Sequence, residues 1–373
     1  MLALAAAQVF TGSEMLDVAT VHVQDGRIAE VSRGISPGAT WLEGLLAPGL
    51  VDVQVNGGGG AMFNDAPTIE TLQAITAAHA QFGVTAIMAT LVSDERGKIA
   101  AAIAAVERGV SEAMPGLLGL HLEGPWLSEQ RRGVHPQRFL RTLDPEDMRL
   151  LTQKQPFPVI VTLAPEQASP ADVKALTDAG VTVSIGHTAA PHDAVEALLA
   201  AGATGFTHLF NAMAPLEGRK PGALGVALAC RDAWAGLILD GVHVHPVSAR
   251  AALAAKSARK LILVSDAMAT VGSKDPSMML FGETITVSDG ALRNAEGTLA
   301  GAHLDLARAV RNAQSLIGAT LETALRMASL TPAEFLRQDH LHGRIAVGGR
   351  ADMVLFGPTL DVRRVWISGR QVR

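Results

Sequence analysis

The sequence predicts an α/β fold, a (β/α)8 TIM-like barrel with a small β-sandwich domain built from both chain termini. Three observations predict this fold. Eight short apolar runs recur through the middle of the chain, as expected of parallel strands covered on both faces. Ala-rich segments with apolar residues at helical spacing separate most of these runs. Alternating apolar residues flanked by turn signals mark both ends of the chain.

The eight runs account for one complete barrel, since eight parallel strands close a (β/α)8 barrel. The segments between them, such as PTIETLQAITAAHAQF and PHDAVEALLAAG, begin near Pro, Thr or Asp, which favour helix starts. The runs are LVDVQVN at 50–56, GVTAIMAT at 83–90, LLGLHLEG at 117–124, PVIVTLAP at 158–165, VTVSIGHT at 181–188, GATGFTHLF at 202–210, WAGLILDG at 234–241 and KLILVSDAM at 260–268.

The two ends of the chain predict one joint β unit. Asp25-Gly26 separates two alternating runs in VHVQDGRIAEVS, a strong hairpin signal. Near the other end, ADMVLFG and VRRVWISGRQV follow, and the latter turns at Ser368-Gly369. Neither end has enough strands for an independent sheet. We therefore expect a β-sandwich domain from residues 1–47 and 341–373, with the barrel at 48–340 inserted between its halves. GETITVSDGALRN, within 278–300, predicts an inserted hairpin near the barrel rim.

Composition narrows the class of partner. The chain has 373 residues, a net charge of −5 and a pI near 6.2. It shows no basic stripe, so we expect a small-molecule partner, no nucleic acid and no membrane. A single cysteine, Cys230, excludes an intrachain disulfide. The first residues lack a basic leader pattern and no apolar stretch is long enough to span a bilayer, which predicts a cytoplasmic protein.

Four polar residues stand at the ends of four separate apolar runs: Glu123, His187, His208 and Asp266. The carboxyl ends of parallel strands form one rim of a barrel, so these side chains are expected to converge there. One carboxylate and two imidazoles suit a divalent, zinc-like ion with three protein ligands and an open position. Asp266 then fits a general base that takes a proton from the attacking water and returns it to a departing amine.

No metal-binding or phosphate-binding role is predicted for the other polar or Gly-rich positions near these strands. His121 shares a face with Glu123 but lies deeper, so a satisfied core histidine is the preferred interpretation. Gln54 and Asn56 face one way on the first strand, and neutral amides are poor zinc ligands, so no second metal is predicted there. GGGG at 57–60 lacks a following Lys-Ser or Lys-Thr, which favours a flexible turn over a phosphate loop.

Further candidates lie on loops near the same rim. His243, in DGVHVHP, could polarise a carbonyl oxygen or orient the substrate, and His245 is interpreted as structural. Arg219 and Lys220 are either two solvated charges or an anion clamp, because guanidinium groups match phosphate oxygens. His135, in RRGVHP, fits the same substrate loop.

The ordered set of motifs resembles one family. HLEGPW with RRGVHP, GHT, THLFNAM, DGVHVHP, LVSDAM and LAGA together look like the N-acetylglucosamine-6-phosphate deacetylases of the amidohydrolase superfamily. The closing GRIAVGGRADMVLF is similar to that superfamily's return into its small β domain. Each short motif is weak alone, whereas the ordered set covers nearly the whole chain and is specific.

The resemblance implies a role for each matching position. Glu123, His187 and His208 match the metal ligands, and Asp266 matches the catalytic acid/base. His243 matches a residue at the substrate, with a role in catalysis, in binding, or in both. The positions that match sugar or phosphate contacts are His135, Asn211, Ala212, Arg219, Leu299, Ala300 and Gly301. The implied reaction is hydrolysis of the 2-acetamido group of N-acetylglucosamine 6-phosphate to glucosamine 6-phosphate and acetate.

The family also implies an assembly and a cofactor. Members are typically homo-oligomers, commonly homodimers, in which the phosphate-binding arginine can reach the neighbouring subunit's site. Many amidohydrolases place His-x-His on the first strand, where this chain has Gln54-Val55-Asn56. The fourth strand, VIVTLAP, also lacks the lysine that bridges two metals. Both departures favour one divalent metal ion per subunit. Zn²⁺ is the expected ion, although iron, cobalt and manganese suit the same ligands.

Two rival functions stay open. The motifs do not distinguish N-acetylglucosamine 6-phosphate from N-acetylgalactosamine 6-phosphate, because the two sugars differ by inversion at one hydroxyl. A non-catalytic amidohydrolase-like scaffold is a rival of another class. Such a scaffold would be expected to have lost its ligands, whereas this chain retains three metal-type residues and an acid/base candidate.

Overall fold

The computed structural model describes residues 2–373. Its strands are β1 Leu2–Phe10, β2 Met15–Gln24, β3 Arg27–Arg33, β4 Thr40–Pro48, β5 Leu50–Val55, β6 Gly57–Gly58, β7 Ala61–Met62, β8 Val84–Val92, β9 Gly116–Glu123, β10 Val159–Leu163, β11 Thr182–Ile185, β12 Gly205–Phe206, β13 Trp234–Ile238, β14 Leu261–Val264, β15 Ser277–Leu280, β16 Glu283–Ser288, β17 Ala291–Arg293, β18 Met353–Phe356, β19 Val362–Ile367 and β20 Arg370–Gln371.

The helices fall mainly between the barrel strands. They are α1 Ile69–Ala80, α2 Arg96–Ser111, α3 Pro145–Leu151, α4 Pro170–Asp178, α5 His192–Ala200, α6 Gly222–Ala229, α7 Pro246–Lys256, α8 Leu306–Ile317, α9 Leu321–Ala328 and α10 Leu330–Phe335. Side-chain caps define several helix starts. The Thr68 side chain accepts from Thr71 N at α1, and Ser169 and Asp172 form a capping box at α4.

Eight parallel strands form the predicted barrel, in the order β14-β13-β12-β11-β10-β9-β8-β5. Each of the eight apolar runs overlaps one of these strands, so that prediction is confirmed. The seam between β5 and β14 is closed beyond the strand ends, where Val55 bridges Ala267 in parallel and Asp266 N donates to Gln54 O at 3.0 Å. Val, Ile and Leu from the strands pack against the surrounding helices in one continuous core.

Strands from both termini pair as predicted. They form one seven-stranded sheet in the order β20-β19-β18-β4-β1-β2-β3, in which β4 lies between β1 and β18. Asp25 and Gly26, with φ of 51° and 76°, make the predicted turn between β2 and β3. β4 ends at Pro48 and β5 begins at Leu50. The domain boundaries at 47/48 and 340/341 stay predictions.

The predicted hairpin between 278 and 300 has three strands. β15, β16 and β17 pair antiparallel, and their inner side chains pack with Met62 and Met268 in a small separate apolar cluster. This sheet lies over the barrel mouth, since Leu280 and Met268 both line the cavity described below. Across residues 2–373, no helix combines the length and the hydrophobicity needed to cross a bilayer.

The segment after β9 is anchored by one buried carboxylate. Asp147, whose side chain is fully buried, accepts from Arg96 Nε at 2.8 Å, from Arg141 Nε and Nη2 at 2.9 Å, and from Trp126 Nε1 at 2.9 Å. Arg141 and Trp126 belong to the segment that carries His135. Asp147 therefore ties this rim segment to α2 and α3.

Asp147→Ala is expected to lower the free energy of unfolding by about 3 kcal/mol, because two guanidinium groups and an indole lose their buried acceptor. Glu146→Ala is the matched control. Glu146 also pairs with Arg96, but its side chain is 59% exposed, so its loss should cost less than about 1 kcal/mol. Urea unfolding followed by circular dichroism measures both, and equal costs would contradict the assignment.

Candidate active site

The predicted ligands and base lie at equivalent points of their strands. Glu123 is the last residue of β9, and His187, His208 and Asp266 each lie two residues beyond the ends of β11, β12 and β14. All four strands are parallel members of the barrel. Their carboxyl ends therefore open at one mouth, as the sequence predicts.

The backbone conformation sets the direction of three of these side chains. His187, His208 and Asp266 have φ of 49°, 31° and 50°, in the left-handed region that L residues seldom adopt. A residue in this conformation shortly after a strand turns the chain sharply. Its side chain therefore no longer follows the alternation between the two faces of the strand. Such conformations cost about 1–3 kcal/mol each and are concentrated at functional sites.

The three predicted ligands converge on one point. Glu123 Oε1 lies 3.1 Å from His187 Nε2 and 2.8 Å from His208 Nε2, and the two imidazole nitrogens are 3.0 Å apart. All three residues are buried. Ligand atoms around a tetrahedral zinc ion, each about 2.0–2.1 Å from it, lie about 3.3–3.4 Å apart. The observed spacings are close to this value.

The chemistry of the donors also fits a metal ion. His187 Nδ1 donates to Arg131 O at 2.9 Å, which leaves the Nε2 lone pair toward the other two ligands. With His208 Nε2 also unprotonated, three acceptor lone pairs would face one another, an arrangement that a shared cation satisfies. His208 Nδ1 is buried without a hydrogen-bond partner among residues 2–373.

His135 borders the same position. Ligand atoms of Glu123, His135 and His187 lie within 4.8 Å of one another. His135 Nδ1 bonds to Ser93 Oγ at 2.8 Å, and its ring packs edge-on against His187 with centroids 4.6 Å apart. The Glu123, His187 and His208 atoms lie closer together, within 3.1 Å of one another.

Two side-chain amides hold the carboxylates in place. Asn56 Nδ2 donates to Asp266 Oδ1 at 2.7 Å, and Gln54 Nε2 donates to both Asp266 Oδ1 at 3.2 Å and Glu123 Oε2 at 3.0 Å. From sequence these amides are identified only as poor metal ligands, and their role in holding the carboxylates is not predicted. Burial, reinforced by the charge of Glu123, raises the pKa of Asp266 to about 6. A carboxyl group with this pKa can both accept and donate a proton near neutrality.

The site opens into a cavity of about 210 Å³. It brings together nearly all of the residues predicted from the sequence. The predicted residues that line it are Glu123, His135, His187, His208, Asn211, Ala212, His243, Asp266, Leu299 and Gly301. Ala300 is fully buried behind its two neighbours, in the apolar cluster with Met268. Arg219 is exposed in the turn where Glu217 bridges Lys220, and it does not line the cavity.

His121 is the core histidine that the sequence indicates. Its Nδ1 bonds to Val53 O at 3.0 Å and its Nε2 to Thr162 Oγ1 at 2.8 Å. Asp240 is a further residue that the sequence argument missed. It lies two residues beyond β13, the same offset as His187, His208 and Asp266. That offset, applied to every strand, would have found it.

A model of the amidohydrolase family matches residues 45–372. The chain belongs to the amidohydrolase family. Its members are metal-dependent, and this amidohydrolase has a buried Glu/His/His group that could bind a metal ion. The family resemblance predicted from the motifs is thereby confirmed.

Within the amidohydrolases, three comparisons show similarity to deacetylases of amino-sugar phosphates. The N-acetylgalactosamine-6-phosphate deacetylase of Shewanella sp. (strain ANA-3) is 40% identical, over 99% of this chain and 95% of the relative. The N-acetylglucosamine-6-phosphate deacetylase of Vibrio furnissii is 35% identical, over 88% and 82%. A solved variant of the Mycobacterium smegmatis N-acetyl-D-glucosamine-6-phosphate deacetylase, in complex with N-acetyl-D-glucosamine-6-phosphate, superposes with a TM-score of 0.92 at 32% identity, covering 100% and 99%.

Proposed function

We propose that this amidohydrolase hydrolyses the 2-acetamido group of N-acetylglucosamine 6-phosphate, consuming one water and giving glucosamine 6-phosphate and acetate. The observation that carries the proposal is the convergence of Glu123, His187 and His208 beside Asp266 in one cavity. The relatives that act on this sugar phosphate by name support the choice of substrate.

Each residue of the site has a separate role in the proposed reaction. Asp266 takes the proton of the attacking water and gives it to the amine nitrogen as the carbon-nitrogen bond breaks. His243 lines the cavity and contacts the substrate. One divalent ion held by Glu123, His187 and His208 would supply Lewis-acid chemistry at the amide. We propose Zn²⁺ for that ion, because one carboxylate and two imidazoles form a ligand set that zinc favours.

Deacetylation of N-acetylgalactosamine 6-phosphate is the second candidate. It is favoured by two relatives that are named for that activity, at 40% and 34% identity over almost the whole chain. Acetate release from the two sugar phosphates, measured side by side with the metal-loaded protein, decides between them. We expect a higher kcat/KM for N-acetylglucosamine 6-phosphate. The opposite order would replace the first proposal by the second, and no acetate from either would favour the non-catalytic scaffold.

Arg219 is proposed to act across a homodimer. It is exposed outside its own cavity, and a guanidinium group suits a phosphate. We expect Arg219→Gln to raise KM for the phosphorylated sugar about tenfold or more with a small change in kcat. Arg231→Gln, at another exposed arginine, is the control, and light scattering measures the oligomeric state. A monomer, or an unchanged KM, would contradict this role.

We place the enzyme in the cytoplasm as part of the same proposal. Its substrate carries a charged phosphate ester, which does not cross a bilayer unaided and is therefore met where it is made.

A further inference from the structure

We propose that Asp240 is a positioning residue, which holds His243 with its proton on Nδ1 and presents Nε2 to the substrate. The inference rests on the proposed function for the part that concerns the substrate. The arrangement of the two side chains rests on the structure alone.

Asp240 is placed for this role by the end of β13. The strand ends at Ile238 and Asp240 follows two residues later, with its side chain 1% exposed. Gly241, with φ of 82°, then turns the chain back. Glycine adopts this conformation without steric cost. Asn312 Nδ2 donates to Leu239 O at 2.8 Å and ties the turn to α8.

Both oxygens of Asp240 are engaged by the segment that carries His243. Oδ1 accepts from the backbone N–H groups of Val242 and His243, each at 2.8 Å, and Oδ2 lies 2.6 Å from His243 Nδ1. The His243 side chain is 6% exposed and lines the cavity. One carboxylate therefore sets both the backbone turn and the plane of the imidazole.

The protonation states follow from these contacts. Burial favours the neutral acid, but the His243 hydrogen bond and the two backbone donors outweigh it and lower the pKa of Asp240. An ionised carboxylate only accepts hydrogen bonds, so the proton between the two groups lies on His243 Nδ1. The second ring nitrogen, Nε2, is thereby left for the substrate, and the ring cannot turn over without losing this bond.

Asp240→Asn separates the backbone role from the imidazole role. The asparagine Oδ1 can still accept from the two backbone N–H groups, so the turn should be preserved. Its NH2 group then faces His243 Nδ1 and donates to it, which moves the imidazole proton to Nε2. The same substitution beside a catalytic histidine produces the wrong tautomer in serine proteases.

The test uses zinc-loaded protein labelled with ¹⁵N-histidine. The His243 resonances are identified as those lost in His243→Asn. In the wild-type protein we expect the Nδ1-protonated form, and in Asp240→Asn the Nε2-protonated form. The Nε2-protonated form in the wild-type protein would overturn the proposal, and this result does not depend on activity or on the folding of Asp240→Asn.

Kinetics test the consequence for the substrate. We expect kcat/KM to fall about tenfold to a hundredfold in Asp240→Asn, with thermal stability and metal content near those of Asp232→Asn, a control at an exposed residue two positions before β13. In the His243→Asn background, Asp240→Asn should cause almost no further loss, because Asp240 acts through His243. A full additional loss would overturn the proposal. Absence of turnover in the wild-type protein would instead overturn the proposed function.

Discussion

Asp266→Asn is expected to lower kcat by about two or more orders of magnitude, the usual contribution of a general acid/base group. The expected effect comes from the loss of a proton acceptor alone. Asn56 and Gln54 both donate to Asp266 Oδ1, and the asparagine carbonyl oxygen can keep both bonds. Its NH2 group then occupies the place of the other carboxylate oxygen and cannot take a proton from water.

Metal content and folding should therefore stay near normal in this variant. Acetate release gives kcat, elemental analysis gives the ion content, and circular dichroism with thermal unfolding checks the fold. Asp289→Asn is the matched control, since Asp289 is exposed and has a φ of 50° that asparagine also tolerates. Retained turnover in Asp266→Asn would remove the assignment of proton transfer to this residue.

The barrel and its ligands could be predicted from sequence because both depend on general geometry. Apolar runs of four to eight residues mark buried strands, and parallel strands in a barrel place their carboxyl ends together. Glu123, His187, His208 and Asp266 need only stand at strand ends to meet. No long-range contact had to be known in advance.

Local detail was less accessible for identifiable reasons. The run WAGLILDG predicts a strand that continues to 241, whereas β13 ends at Ile238. Asp240 falls inside the predicted strand, so its position at a strand exit is not apparent from the sequence. The roles of Gln54 and Asn56 depend on where the carboxylates of other strands arrive. The left-handed backbone at His187 and His208 is tolerated by histidine better than by most residues, but only the fold decides which histidines adopt it.

The segment at 299–301 is another detail that strand periodicity does not predict. Leu299 and Gly301 line the cavity, and Ala300 between them is buried. Gly301 has a φ of 65° and presents only backbone to the cavity. The burial of Ala300 leaves only its backbone available to a substrate.

Two ligand sets fit the geometry, and both contain Glu123 and His187. The third ligand is His208 in one set and His135 in the other, so replacing each of these two histidines distinguishes the sets. We expect His208→Gln to weaken ion binding by about a hundredfold or more and to abolish measurable turnover, because the loss of a direct ligand costs more than that of an outer hydrogen-bond partner. His135→Gln should keep about one ion per subunit, since Glu123, His187 and His208 form the tighter group.

The two variants are compared after dialysis against a chelator and reloading with Zn²⁺. Elemental analysis measures the ion bound per subunit, and acetate release measures the activity recovered. The chelated wild-type protein should lose activity and regain it with the ion. If His135→Gln loses the ion while His208→Gln keeps it, the ligand set is Glu123, His135 and His187. The ion would then lie at a different point of the cavity. The role of Asp266 as general base would have to be tested again, because it depends on an ion held by His208.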